Sequence, residues 1–166
     1  MEIPQAEQFV IRPVEEPDSE AILAVYRQCE DFLALGPVPT ACLAMVQEDL
    51  AHSREMGGVF CGIHVSGKMV GVVDYVPGCF EGEPGVAFLS LLMIAGPYRA
   101  AGLGTAVVKA VENIITANRK IREIRSGVQV NNAAGIRFWR KMGYTISGGP
   151  ELMPDGTTVY HLSKRV

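Results

Sequence analysis

The sequence predicts a single α/β domain of the mixed-sheet (α+β) kind, and three observations carry that reading. Hydrophobic periodicity alternates between strand and helix over residues 86–142, giving a strand, helix, strand, helix core. Two β-rich runs, 59–65 and 69–76, flank Ser66-Gly67-Lys68, the turn chemistry of an antiparallel hairpin. The chain of 166 residues can bury a sizeable core and leaves little room for a second domain. The expectation is a central, mostly antiparallel sheet of about seven strands flanked by about four helices. One domain fills residues 1–166, with 1–8 a flexible N-terminal tail.

Each element follows from local pattern. Phe9-Val10-Ile11-Arg12-Pro13 is a short strand ahead of an acidic turn, whose Asp18 or Ser19 can N-cap a helix over 20–33. Gly36-Pro37-Val38-Pro39 ends that helix, and Thr40 opens a second with Leu43, Val46 and Leu50 on one stripe, running to Gly57-Gly58. After the hairpin, residues 77–85 contain Gly78, Gly82, Pro84 and Gly85 and must loop. Val86–Ile94 is nearly all apolar, as a strand buried on both faces at the sheet centre would be. Leu103, Val107, Val111 and Ile115 then recur at helical spacing to about residue 118, with Lys109, Glu112, Asn113 and Thr116 off the stripe. Ile121–Val130 reads as a strand, Asn131 or Asn132 caps a helix to Met142, and Gly143 stops it behind Arg140 and Lys141. Tyr144–Leu152 and Thr157–Lys164 close the chain as a hairpin.

Composition excludes several function classes. Fifteen Lys and Arg against eighteen Asp and Glu leave a net charge of −3, without the basic face that nucleic acid requires. No apolar run approaches the length of a membrane span, and the first residues, with Glu2 and Glu7, lack the positive start of a secretory signal. A cytoplasmic protein is expected. Cys29, Cys42, Cys61 and Cys79 form no CxxC and meet no clustered His, so they read as reduced thiols, and no metal site is expected.

The most informative stretch is Gly96-Pro97-Tyr98-Arg99-Ala100-Ala101-Gly102-Leu103-Gly104-Thr105, between the apolar strand and the longest helix. A loop of small residues entering a helix aims unpaired amides and the positive dipole end at one spot, which suits a diphosphate. Gly102 and Gly104 allow close approach, Arg99 can add a charge and Thr105 a hydroxyl. A dinucleotide fingerprint fails because Val107 stands at its third glycine. A Walker A reading of Gly62–Lys68 fails because Met69 replaces the magnesium-binding hydroxyl and strands surround it.

Arg99-Ala100-Ala101-Gly102-Leu103-Gly104 resembles the coenzyme A pyrophosphate loop of the GNAT superfamily of N-acetyltransferases, [Gln/Arg]-x-x-Gly-x-[Gly/Ala]. Asn132-Ala133-Ala134-Gly135-Ile136-Arg137-Phe138-Trp139-Arg140-Lys141-Met142-Gly143-Tyr144 is similar to the family's second signature, Asn-x-x-Ala-x-x-Phe-Tyr-x-x-x-Gly-Phe. It departs at Gly135, where Ala is usual, and at Trp139, where relatives often carry the Tyr proposed to protonate the leaving thiolate. An indole cannot do that at neutral pH.

The resemblance implies direct acetyl transfer from acetyl-coenzyme A to an amine of a small molecule or peptide, with no metal. It implies a strand splayed at a bulge, with backbone amides at Met93 and Ile94 binding pantetheine and polarising the thioester, and Asn132 on the cofactor side. Ser90 stands where relatives often place a catalytic Glu, and Asp74, near a strand end, is the candidate base bordering the substrate cleft. Trp139 either lines the thioester channel or packs the core. Glu30, Asp31, Glu81 and Glu83 suit a cationic amine. The expected partner is an amine substrate, without nucleic acid or membrane, and a homodimer is allowed. The alternative is a coenzyme A sensor without turnover.

Overall fold

The structure is a computed structural model that describes residues 8–166, so the expected tail lies outside the described residues but for Gln8. Seven strands form one sheet in the order β1-β2-β3-β4-β5-β7-β6: β1 Phe9–Pro13, β2 Val59–Val65, β3 Lys68–Val76, β4 Val86–Ile94, β5 Glu123–Gln129, β6 Thr145–Leu152 and β7 Thr158–Arg165. Every neighbouring pair is antiparallel except β4 and β5, which are parallel. Parallel neighbours need a crossover, and α4, Leu103–Thr116, supplies it.

Two cores sandwich the sheet. On one face α1, Ser19–Arg27, and α3, Leu43–Glu55, bury Ile22, Tyr26 and Val46 against Val72 and Met93. On the other, α4 and α5, Ala133–Lys141, bury Val107, Val111, Ile115 and Trp139 against Val73, Leu89 and Ile124.

Three expectations are corrected. The helix over 20–33 is two, α1 and a single turn, α2 Glu30–Leu33, so there are five α-helices among the described residues. The break is at Cys29, whose backbone leaves the helical region while its thiol donates to the Ile94 carbonyl at 3.4 Å. The second helix opens at Leu43, after an extended Cys42, three residues beyond Thr40. Glu112, read as part of the polar face of α4, is buried because Tyr144 and Lys164 meet its carboxylate.

Candidate active site

The site begins where the sheet opens. The β4–β5 ladder runs from Val86 opposite Glu123 to Leu89 opposite Ser126 and stops, with the Ser126 hydroxyl donating to the Leu89 carbonyl at 2.8 Å. On the β3 side Asp74 faces Leu91 and Tyr75 faces Leu89, leaving Ser90 as the extra residue of a bulge. A bulge bends and twists its strand, which turns the last residues of β4 away from β5. This corrects the expectation of burial on both faces: Leu91, Leu92 and Ile94 are only partly buried.

The ladder decides which amides face the opening. The Ala95 amide donates to the Val70 carbonyl at 2.8 Å. By the two-residue alternation of an antiparallel pair, Met93 also points its amide at β3, while Leu92 and Ile94 point theirs into the gap. Consistently, the Ile94 carbonyl on that side accepts from Arg99 Nε at 2.7 Å and from Cys29. Of the expected pair, Ile94 faces the gap and Met93 does not; Leu92 takes its place.

Beyond β4 the glycine loop enters α4. Gly102 sits at φ +81°, and Ala100, unusually for a residue with a side chain, at φ +63°. The first backbone bond of the helix is from Ala106 to the Gly102 carbonyl, and no side chain caps it. The amides of Leu103, Gly104 and Thr105 therefore have no acceptor among the described residues, a ready anion site at the positive end of the helix. A Cβ on Gly104 would meet Phe138 only at ordinary contact, 3.6 Å, so the fold does not require glycine there. Ala101 is exposed beside it.

Between loop and sheet lies an open cleft of about 330 Å3, bordered by Asp31 and Phe32 of α2, Leu92 and Ile94 of β4, Arg99 and Asn132. Arg99 forks onto the Asp31 carboxylate, with Nη2 at 3.1 Å, and holds that carboxyl below its usual range. Asn132 accepts from the Gly135 amide at 2.9 Å and so caps α5. A Cβ on residue 135 would lie 2.5 Å from the Asn132 amide nitrogen, so an Ala here would have to displace the Asn132 side chain from this position.

Asp74 sits elsewhere than expected, and Trp139 takes the core alternative. Asp74 does not border the cleft: it is 4% exposed, under α3, and accepts from the Ser53 hydroxyl at 2.7 Å. Its bulge neighbour Ser90 donates to the Asp74 backbone carbonyl at 3.1 Å, so the structure brings these two together without opening Asp74 to substrate. Trp139 is 8% exposed and stacks edge-on against Phe138 and Tyr144, a core position apart from the residues lining the cleft. Leu92 and Cys29 had no motif to mark them, and Asn131, one of the two expected helix caps, instead donates its side-chain amide to the Leu35 carbonyl at 3.0 Å. Only the bulge register identifies Leu92.

A splayed strand pair beside an uncapped, glycine-rich helix start is a family trait, and the profile of the acetyltransferase (GNAT) family matches residues 20–144. The chain belongs to that family. Aminoglycoside N(6')-acetyltransferase type 1 of Klebsiella pneumoniae is 28% identical over 85 residues, 51% of this chain and 42% of that protein, so the match spans less than half of the relative's length. Among solved structures, an acetyltransferase from Thermus thermophilus superposes with a TM-score of 0.78 at 22% identity, covering 97% of this chain and 99% of that one. An aminoglycoside acetyltransferase in complex with coenzyme A gives 0.76 at 20% identity, covering 95% of each chain. At these identities the superpositions show a common fold. The GNAT fold thus accounts for both the crossover helix and the open end of β4.

Proposed function

We propose that this GNAT protein is an N-acetyltransferase that uses acetyl-coenzyme A, and the observation that carries the reading is the uncapped start of α4 beside the open end of β4. The coenzyme A complex of a structural neighbour supports it. The residues fit the group: three unpartnered amides at Leu103, Gly104 and Thr105, flanked by Ala100, Ala101 and Gly102, would hold a pyrophosphate. When bound, the cosubstrate supplies an activated acetyl thioester. The Leu92 and Ile94 amides, two residues apart on one strand, would serve the pantetheine arm and the thioester carbonyl, one each, and an oxyanion donor of this kind contributes about 2.7–4 kcal/mol. Asn132 borders the same cleft and orients the start of α5.

Proton transfer is left to water. The lone carboxylate among the described residues lining the cleft, Asp31, is tied to Arg99, and a thiol of pKa about 8.5 departs without an acid. The acceptor we propose is a small cationic amine, by Glu30 beside the Asp31–Arg99 pair and the aminoglycoside-modifying relative.

The test is calorimetric titration of coenzyme A into the parent and Gly104→Asp. The substitution is tolerated by the fold, since an acid in the first helical turn is favourable, but it sets a carboxylate where the pyrophosphate would lie. Binding to the parent and its loss in the variant are expected; equal binding overturns the site. A thiol-release screen over aminoglycosides, polyamines and peptides then separates a transferase from a sensor, which binds without turnover.

A further inference from the structure

We propose that Arg99 is a positioning residue: a strut that fixes the acceptor-side wall of the cleft to β4, its charge committed to Asp31 in place of the pyrophosphate. The inference rests on the function proposed above and deepens it. Within the pyrophosphate-loop pattern Arg99 is the one cation, so the ready assumption is that it meets phosphate. Its guanidinium already makes three contacts on two elements. Nε donates to the Ile94 carbonyl at 2.7 Å, and the two Nη atoms fork onto Asp31 of α2. Only arginine offers that planar set of donors.

What the strut holds is a short segment that otherwise rests on the partly buried Phe32 and Leu33. α2 has four residues, none of them fully buried. Its continuation is pinned on the opposite side of the gap, where Asn131, just past β5, donates to the Leu35 carbonyl. Arg99 follows β4 and Asn131 follows β5, so residues 31–35 cross the open end of the sheet and are fastened on both banks. The Arg99 anchor reaches Ile94, the residue whose amide faces the gap, and the Cys29 thiol just ahead of α2 meets the same carbonyl. The distance from acceptor wall to thioester site is thereby set by two side chains on one carbonyl, with Arg99 the charged and shorter link.

Hydrogen exchange of amides 30–36 and calorimetry with coenzyme A test this on the full chain. Arg99→Lys keeps the charge but cannot serve one carbonyl and two carboxylate oxygens. Asp31→Asn alters a mostly exposed side chain and spares the fold. Each is expected to speed exchange over 30–36 by about threefold to tenfold, the double variant no more than the worse single, as one coupled contact requires. Arg99→Ala should leave coenzyme A affinity within about threefold of the parent, since the helix amides carry the phosphate. Unchanged exchange in Asp31→Asn, or a loss of coenzyme A affinity above about tenfold in Arg99→Ala that Lys restores, overturns the strut. Failure of the parent to bind coenzyme A sinks the proposed function instead, and the exchange measurements still decide the strut.

Discussion

Asp49 of α3 accepts from the Tyr26 hydroxyl at 2.6 Å, and burial pushes its carboxyl above the usual range despite that bond. A folded value raised above the unfolded one means that protonated Asp49 contributes stability fully present below about pH 3.9 and lost as pH rises through the folded value. Asp49→Asn mimics the protonated form at every pH. We expect it to melt above the parent at pH 7 and level with it near pH 3.5; a parent that melts higher at both would mean that the charge is welcome there. Single residues were the least legible part of the sequence. Asp74 looked like a strand-end carboxylate because its burial depends on Ser53, 21 residues away, and on Gly58, where a Cβ would come within 3.0 Å of the carboxylate. Trp139 falls on the predicted helix, yet only Tyr144 folding back against it shows that the indole is core.

Elements were read more readily, because periodicity is a local property. β4 has its expected bounds, and α4 starts at Leu103 as its stripe requires. The α1–α2 break was invisible, since a helix-compatible stretch is interrupted by a tertiary bond from Cys29 to Ile94. Helix placement also rests on one buried polar cluster. Glu112 of α4 accepts from Lys164 of β7 at 2.8 Å and from the Tyr144 hydroxyl at 3.2 Å, and Lys164 also donates to the Met142 carbonyl at the end of α5. Tyr144→Phe leaves the ion pair intact and should cost about 1 kcal/mol. Lys164→Ala leaves a buried carboxylate without its cation and should cost at least about twice as much. Urea denaturation of both variants checks the order, and equal midpoints would show that Lys164 adds no more than the Tyr144 hydroxyl.

For the whole molecule, the fold class and the family were legible because two signatures flank the α4 crossover, and the family profile spans both. The acceptor was not, since residues 30–40 and 77–85 carry no motif. Coenzyme A at a hundredfold excess over its dissociation constant should stabilise the fold by about 2.7 kcal/mol, a rise in Tm of about 5–10 °C for a chain this long. Differential scanning fluorimetry reads it directly, and a flat response contradicts a preformed site.

The sheet itself is two antiparallel plates, β1 to β4 and β5-β7-β6, joined by a seam of four residue pairs. Such a joint behaves as an unequal pair of jaws with a short hinge. A wedge between the tips would act as leverage on the seam, and a wider one would have to part Leu89 from Ser126 first, where the serine hydroxyl doubles the fastening at that end of the hinge.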